Sequence, residues 1–241
     1  MNAKQWLATS VGVAVGSYAA LVASAWLRYG DAPPARGDEV DELLDRFMPA
    51  YEIVERHHVR VAAPAEVTFA AAGAIDPNQS AIVRAIFKGR ELAMGSRPAP
   101  RARARGFLAD MRAMGWGVLA EIPGREIVMG AVTQPWLADV VFRPLPPEEF
   151  AAFCEPGYAK IVWTLRADPI GDSESVFRTE TRVATTDAFA RAKFRQYWSF
   201  VSPGIDLIRW MLLGPGKTEA ERRVIAKTAR VTGYETGGSV E

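Results

Sequence analysis

The sequence predicts an α+β fold in which an antiparallel β-meander is followed by one long final helix. Three observations carry this. From Trp116 onward, short β-rich runs alternate with turn residues, which is the pattern of a meander. Upstream, Ile53 to Val61 alternates as a strand does and leads at once to Pro64, whose fixed φ suits the start of a helix. Near the C-terminus, Phe194, Trp198, Val201, Ile205, Ile208 and Leu212 recur at spacings of 4, 3, 4, 3 and 4, keeping one helix face apolar over about five turns.

The remaining elements follow in order. Asp41 to Phe47 reads as a short amphipathic helix, and Pro64 to Ala72 as another with Glu66 favourably placed in its first turn. Asp76-Pro77-Asn78-Gln79 is a helix start, with Ile82, Val83, Ile86 and Phe87 as its inner stripe. Gly95 to Gly106 has loop composition and holds Arg97, Arg101, Arg103 and Arg105; such a run suits a solvated loop or a lipid headgroup contact. Phe107 to Met114 is a third short helix. Strands are expected at Gly117 to Ile122, Glu126 to Val132, Val140 to Leu145, Ala159 to Ala167 and Ser175 to Ala184. Turns fall at Pro123-Gly124 and at Pro169 to Asp172, and Glu148 to Cys154 is a helical excursion. Thr186 or Asp187 caps the final helix; Ser202 is expected to cap a second segment beginning at Pro203, with a kink there. Gly214-Pro215-Gly216 then ends it, leaving residues 214–241 as a charged tail.

Composition narrows the function classes. The 29 basic and 28 acidic side chains nearly cancel to a net charge of +1, so no global field draws nucleic acid. One cysteine, Cys154, excludes an intramolecular disulfide and a multi-thiolate metal site. The two histidines, His57 and His58, are adjacent on a strand and point to opposite faces, which is incompatible with a 2-His-1-carboxylate iron site. No G-x-S-x-G elbow, phosphate loop or dinucleotide fingerprint is present. No metal or cofactor is expected.

Residues 1–29 form a distinct segment. Gln5 to Leu27 carries no charge over 23 residues and follows Lys4, a length that suits a transmembrane anchor. Ala23-Ser24-Ala25 is also an A-x-A site of the kind a signal peptidase cuts, and a buried soluble helix is the third reading. The first two place the domain outside the cytoplasm, tethered or exported. Gly12, Gly16, Ala20 and Ser24 form a row of small residues along which a second helix, in a homodimer, can approach. Residues 30–50, with Pro33-Pro34, read as a linker and short helix, and 51–213 as the main domain.

Two stretches resemble a known superfamily. VRVAAPAEVTFAA (Val59 to Ala71) is similar to the opening strand and alanine-proline helix start of START-like (SRPBCC) proteins, the polyketide cyclase and lipid-transport type. ESVFRTETRV (Glu174 to Val183) with FRQYWSFVSPGIDLIRWMLL (Phe194 to Leu213) resembles that superfamily's last strand and gripping helix. The resemblance covers roughly residues 51 to 213. It implies a helix-grip fold, a sheet wrapped around the C-terminal helix, with a cavity between them for lipids or other apolar molecules. No catalytic motif of the superfamily matches, so no functional residue is carried over.

Alternation nominates the site residues. Ile53, Glu55, His57, Val59 and Val61 share one face of the first strand. Glu55 and His57 thus point toward the core, as ligand-orienting groups, as an acid/base pair, or as a pair that satisfies itself. On the last strand Phe177, Thr179 and Thr181 face inward, whereas Arg178, Glu180 and Arg182 are assigned to water, with Lys160 and Arg166 beside them. Trp116, Trp163, Phe194, Tyr197 and Trp198, with Trp136, supply flat apolar walls or ordinary core. Three functions stay open: carriage of a hydrophobic ligand near a membrane, a cyclase or dehydratase using His57 and Glu55, and a membrane-tethered interaction module without ligand.

Overall fold

A computed structural model of the chain describes residues 3–76, 80–96 and 106–235. The expected helix start at 77–79 and the arginines of 97–105 lie outside the described residues, as do the side chains of the stripe Ile82, Val83, Ile86 and Phe87. Five strands form one antiparallel sheet in the order β1-β5-β4-β3-β2: β1 Ile53–Val61, β2 Gly117–Ile122, β3 Glu126–Thr133, β4 Ala159–Pro169 and β5 Ser175–Thr185. The helices are α1 Ala3–Arg28, α2 Glu42–Asp45, α3 Ala65–Ala74, α4 Ala81–Met94, α5 Phe107–Ala113, α6 Pro147–Ala152 and α7 Ala188–Glu235.

Strand register fixes which side chains share a face. Ile53 pairs with Val183 and that with Ile161; Glu55 with Thr181 and Trp163; His57 with Thr179 and Leu165; Val59 with Phe177 and Ala167. Because side chains alternate, all of these lie on one side of the sheet, and α7 lies across that side. Phe194 and Trp198 pack with Ile53, Ala159 and Val183. Farther along α7, Leu213 and Ala220 pack with Val61, Phe177, Leu165 and Ala71 and Ala72 of α3. This is the helix-grip arrangement.

Asp187 caps α7: its Oδ1 accepts the Ala190 amide at 2.6 Å, while the Thr186 hydroxyl donates to the Tyr158 carbonyl. The second cap expected at Ser202 and the break expected at 214–216 do not form; α7 is one helix through Pro203 and Pro215. An interior proline costs about 3 kcal/mol; Trp198, Ser199 and Ser202 are buried ahead of Pro203, and Leu213, Gly216 and Ala220 are buried around Pro215. Gly216 serves close approach instead of a break. A Cβ there would stand 3.0 Å from Ile75 Cδ1 and 3.6 Å from Phe177 Cε1.

Val140 to Leu145 is not a strand; a single bridge joins Arg143 to Val132. Pro144 follows and has no amide for the next rung.

The second face of the sheet is the largest departure from expectation. It is covered, not solvated. Leu44, Phe47 and Met48 from the segment around α2, with Phe150 of α6, bury Val128, Val132 and Val162. Gly130 makes room for this layer, since a Cβ there would meet Leu119 Cδ1 at 2.6 Å and the Phe150 ring at 2.9 Å. Beside that apolar patch, Arg182 is 1% exposed and Glu180 5%. Glu180 bridges Arg56 at 3.1 Å and Arg182 at 2.7 Å, and Arg182 also holds Asp45 and the Met48 carbonyl. Arg178 pairs with Asp38 and Asp168, and Arg166 with Asp41 and Asp168. Lys160 instead donates to the Ala151 carbonyl. The alternating charges assigned to water therefore form a network under residues 38–48.

Residues 3–28 form one helix, as their apolar run requires, and it lies along α7. The Tyr18 hydroxyl donates to the Phe200 carbonyl, and Arg195 donates to the Trp26 carbonyl at 2.8 and 3.1 Å with its guanidinium 4.3 Å from the Trp26 ring centre. Tyr29 then anchors the chain, packing on Phe194 and donating to Glu52 at 2.7 Å; burial first and that carboxylate second push its phenol well above the usual range. Among the described residues no helix is long and apolar enough to cross a membrane, so the transmembrane span expected here has no support. Within the small-residue row nothing lies within 4 Å of a Cβ placed on Gly12 or Gly16, while Ser24 is half-buried.

Candidate functional site

The α7-facing side of the sheet is closed at both ends and accessible in the middle. Along β1, Ile53 and Val61 are buried, while Glu55, His57 and Val59 between them keep partial exposure. The Glu55 and His57 side chains are 24% and 20% exposed, and Nε2 of His57 lies 3.9 Å from Oε2 of Glu55. Thr181 and Thr179, directly opposite these two on β5, are buried and half-buried. Trp163 extends the row onto β4, opposite Thr181.

The structure thus assembles Glu55, His57, Thr179 and Thr181 into one polar band between two apolar clusters, with Trp163 beside it as a buried member of the cluster at the Val61 end. Phe177 belongs to the cluster at the Val61 end. Phe194, Tyr197, Trp198 and Trp136 belong to the cluster at the Ile53 end, with the Phe194 and Trp198 rings stacked at 5.9 Å. Trp116 meets the band through Trp163. Its ring meets Trp163 edge-on at 5.9 Å and stacks on Phe142 at 4.8 Å, and Phe107 closes on Trp163 at 5.4 Å.

Chemically, this band offers hydroxyls, a carboxylate and an imidazole on an otherwise apolar surface. Such a mixture orients a ligand whose bulk is buried by its apolar neighbours. Since β1 is an edge strand of the sheet, the band opens toward solvent on the β1 side. His58 lies on the opposite face, in the field of Asp38.

A second polar cluster sits on the other face, which the sequence reading missed. Glu126, 4% exposed, faces Asp41 from the covering segment and Arg166 and Thr164 from β4. Burial first, and the Asp41 carboxylate second, push its carboxyl up to about 8. The readable signal was the acidic run Asp38, Glu39, Asp41, Glu42 and Asp45, opposite an excess of arginines on alternating strand positions.

No family model matches the chain, and no curated protein matches it. Solved structures do resemble it. A conserved protein from Geobacillus kaustophilus is 10% identical over 72% of this chain and 96% of its own, with a TM-score of 0.30. Norcoclaurine synthase from Thalictrum flavum is 13% identical over 80% of this chain and 97% of its own, at 0.29. The di-domain ARO/CYC BexL from the BE-7585A biosynthetic pathway is 14% identical over 70% of this chain, which spans 46% of that longer protein, at 0.28. At these identities and scores the likenesses say nothing of chemistry; the helix-grip assignment rests on the order of the five strands and on the seat of α7 across one face.

Proposed function

We propose that this chain binds an apolar small molecule between α7 and the sheet, with the molecule's polar end on Glu55, His57, Thr179 and Thr181. The observation that carries the reading is the accessible polar band in the middle of a face whose two ends are buried and apolar. Glu55 and His57 keep 24% and 20% exposure between those ends, where burying either without a partner would be costly. We further propose that the chain works beside a membrane, with the domain outside the cytoplasm and residues 1–29 holding it there; the charge-free stretch of 23 residues supports this.

A second reading is favoured by one distance. His57 Nε2 at 3.9 Å from Glu55 Oε2 sets an imidazole beside a carboxylate, the pair of groups that proton transfer in a cyclase or dehydratase would use.

Thermal unfolding of delipidated protein against a panel of lipids, sterols and polycyclic metabolites tests both. At a hundredfold excess over Kd a ligand adds about 2.7 kcal/mol, which is a clear rise in Tm. In the His57→Ala variant a carrier loses only binding strength, whereas an enzyme loses turnover of the same molecule while still being stabilised by it. A panel that raises the Tm of neither protein overturns the binding reading.

A further inference from the structure

We propose that the outer surface shared by α1 and the adjoining Phe200–Leu207 flank of α7 is a bilayer-contact surface, and that the open groove between the two helices takes phospholipid acyl chains. This rests on the reading that the chain works beside a membrane, and it names which surface does so and how.

The groove is mainly apolar, lined by Val15, Tyr18, Val22, Trp26 and Phe200, with Gln196 and Ser199 as its polar members. Around it large apolar side chains point outward. Val13, Val15, Leu21 and Leu27 on α1 are each more than half exposed, as is Phe200 on α7, and Leu207 continues the flank. No Asp, Glu, Lys, Arg or His interrupts residues 5–27, so along α1 no charge would have to be dehydrated on entering lipid. Exposed tryptophans stand near both ends of α1, at Trp6 and Trp26, and aromatic side chains of this kind prefer the headgroup level. At the Trp26 end Arg28, Lys193 and Arg195 add cations that suit phosphate headgroups. A contiguous apolar patch on this scale is a liability on a protein surrounded by water.

A bilayer fits better than a second copy of the chain. The row Gly12, Gly16, Ala20 shapes a flat seam, whereas the protruding Leu21, Leu27 and Phe200 leave an uneven surface that fluid chains can follow. Since no described helix can cross a membrane, the contact is lateral.

The consequence reaches the ligand site. One side of α7 presents Phe194 and Trp198 to the sheet, while Phe200 faces the groove. A molecule already dissolved in the bilayer therefore meets the flank of the helix that closes the pocket, and the ligand class narrows to apolar compounds that partition into membranes.

The test is sedimentation of the full-length chain with vesicles of phosphatidylcholine alone and of phosphatidylcholine with phosphatidylglycerol. The expected result is binding to both, with Phe200→Glu and Leu21→Glu each lowering the partition coefficient roughly tenfold or more and Leu137→Glu, at an exposed apolar position elsewhere, leaving it unchanged. Circular dichroism of each variant verifies its fold. Binding to the anionic vesicles only, with Phe200→Glu as tight as the parent, would mean headgroup attraction without acyl contact and overturns the proposal. So does a dimer in native mass spectrometry that Leu21→Glu dissolves, since the occupant is then a second copy. Ligand-induced Tm shifts, measured without vesicles, report on the pocket separately.

Discussion

Replacing Arg182 with Ala is expected to lower unfolding free energy by about 3–5 kcal/mol, the range for removing one partner of a buried ion pair. Arg182 is among the largest fully buried side chains of the protein. It donates to Glu180 at 2.7 Å and to the Met48 carbonyl at 2.8 Å, pairs with Asp45, and lies 4.7 Å from the centre of the Tyr51 ring. Its loss leaves Glu180 buried with Arg56 alone and removes the clamp on residues 45–48. Urea unfolding at neutral pH checks this; a loss below about 1 kcal/mol, typical of an exposed pair, would mean that the segment around α2 is not seated on the sheet as described.

Glu126→Gln is expected to stabilise the protein at pH 8.5 and to do little at pH 4. The sign follows from the raised carboxyl of Glu126, ordinarily at 4.5 and here at about 8. Between those values the folded state holds a proton that the unfolded state has released. The stability associated with that proton is fully present below pH 4.5 and is lost as pH rises toward 8, at a limiting slope of about 1.4 kcal/mol per pH unit. Glutamine keeps a donor toward Asp41 and cannot ionise, so the difference between variant and parent should grow through this window to a few kcal/mol and level off above it. Paired urea titrations at several pH values measure that difference, and a difference independent of pH contradicts the buried carboxyl pair.

How much was legible depended on whether the information was local. The bounds of β1 and β2, the start of α5, the turns at Gly124 and Gly171, and the Asp187 cap were readable because alternation, glycine conformation and capping act within a few residues. The inner face was readable too. Glu55, His57, Thr179, Thr181 and Trp163 share it, as alternation alone required. What sequence could not give was the cover on the opposite face. Arg178, Glu180 and Arg182 alternate as exposed charges do, and only the fold-back of residues 38–48, a long-range event, turns water into a layer of carboxylates and leucines. Ser202-Pro203 and Gly214-Pro215-Gly216 misled for a related reason: local rules start a new segment at the first and end the helix at the second, but α7 runs through both, with buried residues ahead of Pro203 and around Pro215. Val140 to Leu145 had strand composition without a partner that could take more than one rung.

A small molecule is expected to occupy the face of the sheet over Thr179 and His57. Native mass spectrometry of the full-length chain, purified without denaturation, compares the parent with Thr179→Trp, whose indole would cover that face. The parent should carry a non-covalent apolar adduct that the variant, with an unchanged circular dichroism spectrum, has lost. An adduct retained equally by both, or absent from the parent even after incubation with the ligand panel, contradicts it.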